Sequence, residues 1–148
     1  MNLLANILFP LLFLISLAVA EPEYVGNPII STGQCFLFQH PNLVPTPVAT
    51  KLGIQIQAME GKCCNIDYKN KCTTAGVYMG ARVQMCSSSE ICVPCKVVGQ
   101  AVLKVVRRCD FHVKGMTAGW EVLLREGQAP GPTGIMRIYI EKDRGEGN

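Results

Sequence analysis

The sequence predicts a small disulfide-rich α+β domain, an antiparallel sheet with one main helix packed on it, in the order β-β-β-α-β-β. Three observations carry this expectation. Eight cysteines follow a leader-like amino terminus, one segment repeats its apolar residues at helical period, and the flanking segments alternate or are rich in β-branched and aromatic residues.

The amino terminus sets the compartment. Met1 to Ala20 holds no charged side chain, Ile7 to Ala20 is rich in leucine and phenylalanine, and the stretch ends in Ala18-Val19-Ala20, the small-x-small pattern of a signal-peptidase site. Residues 1–20 therefore read as a signal peptide cut before Glu21. The apolar run is short for a membrane span and is interrupted by Pro10, so no stable membrane insertion is expected.

All eight cysteines lie after that site: Cys35, Cys63, Cys64, Cys72, Cys86, Cys92, Cys95 and Cys109. An even set in a short exported chain reads as a disulfide framework, since export removes the reducing thiol pools and a small core needs covalent support. Each bridge contributes about 2 to 4 kcal/mol. Four of them rival the net stability of a whole domain, about 5 to 15 kcal/mol. Sequence does not choose the pairing, but Cys63 and Cys64 are expected to take different partners, because adjacent side chains point apart in extended backbone.

Strands are expected in "KLGIQIQAM" at 51–59, where Leu52, Ile54, Ile56 and Ala58 alternate with Lys51, Gly53, Gln55 and Gln57, and in "VYMGARVQM" at 77–85. Shorter candidates are "QCFLFQ" at 34–39, "WEVLL" at 120–124 and "IMRIYIE" at 135–141. The last two are joined by "REGQAPGPTG", which suggests a hairpin with a long exposed loop. The turn-rich stretch between Met59 and Gly76 reads as a loop pinned by three cysteines. Residues 21–33 and 142–148 lack apolar periodicity and are expected to be flexible, leaving 34–141 as the single domain.

The helix is placed at 96–109. At 100° per residue, Val97, Val98, Ala101, Val102, Val105, Val106 and Cys109 gather on one side, and Lys96, Gln100, Lys104, Arg107 and Arg108 on the other. Pro94 suits a first helical turn.

Chemistry is weighed against this frame. "CVPCK" puts Cys92 and Cys95 at a helix start, as in thioredoxin-type redox sites, where the peptide dipoles favour a thiolate. Its surroundings differ: Ile91 stands in the usual tryptophan position and no β-α-β unit precedes it. Cys92-x2-Cys95 with Cys109-x2-His112 has zinc-type ligands, yet in an exported chain these cysteines are expected to oxidise. His40 and His112 are the candidate base and acid of a small secreted ribonuclease. That family's C-K-x-x-N-T-F motif is absent, and His40 lies in the proline-rich "HPNLVPTP". Structural disulfides and no cofactor are the preferred reading. The secreted-enzyme alternative, an oxidoreductase on Cys92/Cys95 or a ribonuclease on His40/His112, stays beside it.

A leader, an even cysteine set with one Cys-Cys pair, a helix ending in "RRCD", a "GW" strand and a final "IMRIYIE" strand together resemble the small secreted cysteine-rich proteins of fungi. Among these the chain is most similar to the killer-toxin-like α/β sandwich shared by several plant-pathogen effectors. The resemblance covers 34–141 as architecture and 86–141 as residues. It implies a non-enzymatic effector or toxin-like protein that binds a host or competitor target, and it supplies no catalytic residues to carry over.

The net charge of +3 and the basic helix face of Lys96, Lys104, Arg107 and Arg108 suggest docking to an anionic surface component or an acidic host protein. No nucleic acid is expected, because no aromatic residue is interleaved on this face for base stacking. A monomer is expected.

Overall fold

In a computed structural model, which describes residues 21–37, 39–67, 71–110, 114–129 and 134–145, the first long strand expected from the sequence is a helix. The signal peptide assigned to residues 1–20 lies outside the described residues.

Helix α1 spans Thr46–Gln57. Its buried residues are Ala49, Leu52, Gly53 and Ile56, the i, i+3, i+4, i+7 stripe of an amphipathic helix. The apparent alternation at 51–59 arose because Ile54, the residue that completes it, is 54% exposed. Pro47 sits in the first turn, where a missing amide hydrogen costs nothing. Helix α2 is Cys95–Cys109, close to the expected bounds, and it buries Val98, Ala101, Val102, Val105, Val106 and Cys109. The fold is therefore α+β with two helices side by side, where one was expected.

The strands are β1 (Glu23–Tyr24), β2 (Ile29–Ile30), β3 (Gln34–Cys35), β4 (Val44–Pro45), β5 (Lys62–Asn65), β6 (Cys72–Tyr78), β7 (Ala81–Cys86), β8 (Ile91–Pro94), β9 (Met116–Thr117), β10 (Gly119–Leu124) and β11 (Met136–Lys142). The six-stranded sheet runs β2-β10-β11-β7-β6, with β3 also on the outer edge of β10, and every pairing in it is antiparallel. Strands β5, β8 and β1 make a second small sheet, and β4 pairs with β9.

Several expected boundaries move. "VYMGARVQM" is a hairpin and not one strand: Met79 (φ 45°) and Gly80 (φ 79°) form its two-residue turn, both in the left-handed region that this tight connection demands. Ala81, Val83 and Met85 are buried as expected, while Met79 is 74% exposed at the tip. Of the described residues in 34–39, only Gln34–Cys35 is strand. The cysteines between Met59 and Gly76 lie on β5 and β6, so they are held in paired strands and not in a loop. Within 21–33, β1 pairs in parallel with β8 and β2 pairs with β10. Residues 142–144 are held by the Asn42 carbonyl and amide and the Gly80 carbonyl, so the paired region extends beyond 34–141 on both sides.

The core lies between the helices and the inner sheet face. Leu52, Ile56, Val98, Val102 and Val105 meet Val83, Met85, Leu123, Met136, Ile138 and Ile140. The helices touch closely through glycines. A Cβ on Gly99 would lie 2.3 Å from the Gln57 backbone nitrogen, and one on Gly53 would lie 3.0 Å from Val102 and Leu103 side-chain carbons. Gly99→Ala is therefore expected to destabilise by about 1 to 3 kcal/mol in thermal or urea unfolding. Helix propensity alone predicts a gain of about 1 kcal/mol, so a stabilised variant would refute the close approach.

Candidate functional site

The two cysteine clusters are joined to one another. Strand β5 runs antiparallel to β8 with Cys64 opposite Cys92, and those two form a disulfide. Cys63, on the other face of β5, reaches Cys95 at the start of α2. The adjacent cysteines thus take different partners, as expected. Cys72–Cys86 bridges β6 to β7, and Cys35–Cys109 ties β3 to the end of α2. No free cysteine remains.

This pairing removes both cysteine-based alternatives. A thioredoxin-type site needs Cys92 and Cys95 to form and break a bond with each other, but each is held by a residue of β5. A zinc site would need thiolates at Cys92, Cys95 and Cys109, and all three are disulfides. No group of three or more metal-ligating side chains occurs among the described residues. His40 stacks on Phe36, with ring centroids 4.2 Å apart, and its Nδ1 accepts the Asn42 backbone amide at 3.3 Å. His112 lies outside the described residues.

The four helix cations divide into two pairs. Lys96 and Arg107 are exposed. Lys104 folds sideways, and its Nζ donates to the carbonyls of Ile30 (3.2 Å) and Ser31 (2.7 Å). Arg108 donates to the Trp120 carbonyl at 3.3 Å and sits 2.9 Å from Glu121 Oε1. Half of the expected basic face therefore clamps α2 to the end of β2, to Ser31 just after it, and to β10. Charge reversal at Lys104 would set a carboxylate against two carbonyl oxygens, so Lys96 and Arg107 are the positions that test docking.

Glu121 is the feature that sequence reasoning missed. It lies on the inner face of β10 with its side chain 0% exposed, and neither carboxylate oxygen accepts a well-aligned hydrogen bond among the described residues. Burial pushes its pKa up, against the downward pull of Arg108 and Lys104. The available signal was an acid in the apolar run of "WEVLL", on the same strand face as Leu123.

Beside the clamp, Ile30, Gln57, Gln100, Leu103, Lys104 and Arg107 line an open groove of 360 Å³. Among the described residues, Lys104 and Arg107 are its only charged lining residues, so it favours anions. In the loop after β10, Arg125 pairs with Glu23 at 2.5 Å, and this exposed contact holds the Glu23 carboxyl below its ordinary pKa. No family model matches the chain, and neither a curated protein nor a solved structure does.

Proposed function

We propose that the protein is exported by the cell that makes it and acts outside that cell as a non-enzymatic, effector or toxin-like binding protein on a host or competitor target. The closing of all eight cysteines into four disulfides supports this most directly, because such a set persists in oxidising surroundings and stabilises a small domain there. A helix layer on one face of an antiparallel sheet is also what the killer-toxin-like resemblance implies. The docking surface in this reading is the outer side of α2, where Lys96 is exposed and Gln100 and Arg107 line the anion-favouring groove, and the partner is an acidic protein.

The test uses residues 21–148, secreted and purified. A partner captured from the tissue or culture the protein meets is titrated against the wild type and against Lys96→Glu/Arg107→Glu. The double reversal is expected to bind about tenfold or more weakly, with an almost unchanged melting temperature, and the wild-type interaction is expected to weaken steeply with salt. Equal affinity of the two proteins would remove α2 as the docking surface.

A further inference from the structure

The β6–β7 hairpin sets a side chain against its own backbone. Met79 and Gly80 join Tyr78 to Ala81 with φ of 45° and 79°, a two-residue turn with both residues left-handed, which asparagine or aspartate followed by glycine fits best. Asparagine gains a local hydrogen bond in that conformation, and methionine does not. Met79 therefore strains the turn, and at 74% exposed it gains little packing in return. Val77, just before it on β6, is 52% exposed. A Cβ on Gly80 would meet no atom within 4 Å, so the turn stands clear of the body. A strained, projecting, apolar tip is suited to a contact outside the molecule.

Charge around the tip narrows what that contact is. Lys51 lies beside it, with Nζ 5.1 Å from the centroid of the Tyr78 ring. Lys142 pairs with Ala81 across the ladder, the Asp143 amide donates to the Gly80 carbonyl at 2.8 Å, and Arg144 donates to Asn42 Oδ1 at 2.8 Å. The end of β11 and the residues after it are thus laid against the turn. Lys51, Lys142 and Arg144 are all exposed, and among the described residues none of the three is in an ion pair. The two acids of this segment are both engaged by Arg82, Glu141 at 2.8 Å and Asp143 at 3.8 Å. Four cations against two acids leave the surroundings of the apolar tip positive.

We propose that the hairpin tip docks on the surface of an anionic phospholipid bilayer. Met79 and Val77 enter the interfacial layer, and Lys51, Lys142 and Arg144 lie among the headgroup phosphates and carboxylates. Apolar burial and attraction to anionic lipid add in such a contact, and each cation near the surface strengthens it. A convex tip also suits a deformable layer, which needs no matching pocket. The attachment is peripheral, since no helix among the described residues is long and apolar enough to cross a membrane. It is independent of the α2 surface, so one molecule can rest on a membrane by its hairpin and hold a protein target by its helix.

The experiment measures co-sedimentation of the secreted, purified protein with vesicles of phosphatidylcholine alone and of phosphatidylcholine with about 30% phosphatidylserine, at physiological salt. The anionic vesicles are expected to bind the protein about tenfold or more tightly. Met79→Asn is expected to weaken that binding about fivefold. The same change is expected to raise the melting temperature by about 2 to 4 °C, because asparagine suits the turn. Met79→Leu is expected to keep the binding of the wild type. Lys142→Gln/Arg144→Gln is expected to weaken binding about fivefold, and more than Lys96→Gln/Arg107→Gln, which removes the same charge from α2. Any of four results would overturn the proposal: no binding to anionic vesicles, which would leave a protein pocket as the occupant; equal binding to both vesicles; wild-type binding by Met79→Asn; or equal weakening by the two glutamine pairs, which would reduce the effect to net charge.

Discussion

Replacing Cys35 and Cys109 together by serine is expected to lower unfolding stability by about 4 kcal/mol, the largest loss available from any one bridge. The reason is the length of chain it closes. Its cysteines are 74 residues apart, against 32 and 28 for the two bridges of β5 and 14 for Cys72–Cys86. The entropy removed from the unfolded chain grows with the logarithm of that length, so the Cys72→Ser/Cys86→Ser protein is expected to lose about 3 kcal/mol. The long bridge also ties β3, a two-residue strand on the edge of β10, to the last residue of α2. Urea unfolding of the two double variants checks the order. A Cys72/Cys86 variant at least as destabilised as the Cys35/Cys109 variant would show that native-state packing outweighs loop closure.

Arg108→Met is expected to cost about 2 to 3 kcal/mol at neutral pH and much less in acid. The Arg108 side chain is 32% exposed, whereas Glu121 is sealed. Removing the arginine leaves a buried carboxylate with only Lys104 nearby. Once Glu121 binds a proton, that loss largely disappears. The wild type responds to pH through the same group. Its folded pKa lies above the ordinary 4.5, so the folded chain binds the proton more readily than the unfolded chain. The resulting stability is fully present below 4.5 and is lost as pH rises through the raised value. Glu23 acts in the opposite direction: its lowered pKa gives a contribution present above 4.5 and lost on acidification, at an exposed position screened by solvent. From pH 7.5 towards 4.5, the wild-type melting temperature is therefore expected to rise relative to that of Glu121→Gln. Parallel profiles for the two proteins would sink this assignment.

What was legible in the sequence follows from how local its cause is. The buried stripe of α2 repeats at helical period within one segment, and the β10–β11 hairpin is announced by two apolar runs around a glycine- and proline-rich loop. The α1 stripe was as regular, but its first member, Ala49, lies before the window that suggested alternation, and Ile54 completed a false period of two. The Met79-Gly80 turn was hidden because methionine rarely occupies a left-handed position. The helix wheel separated Lys104 and Arg108 from the valines correctly. It could not show that β2, Ser31 and β10 pass within their reach, because that depends on contacts between residues about 12 to 74 positions apart.

The cross-linked pair β5 and β8 has a consequence for how this sequence is free to change. A four-residue ladder is too short for hydrophobic alternation to define its register securely, and a slip of one residue turns every side chain to the opposite face. Here sulfur does that work: Cys64 meets Cys92 directly across the ladder, while Cys63, facing the other way, meets Cys95 one step beyond it. A slipped ladder would leave both pairs out of reach. With register encoded in four cysteines, the solvent-facing side chains of Lys62 and Ile66 carry little structural constraint. They are positions where a lineage under pressure to change its surface can substitute residues rapidly without losing the fold.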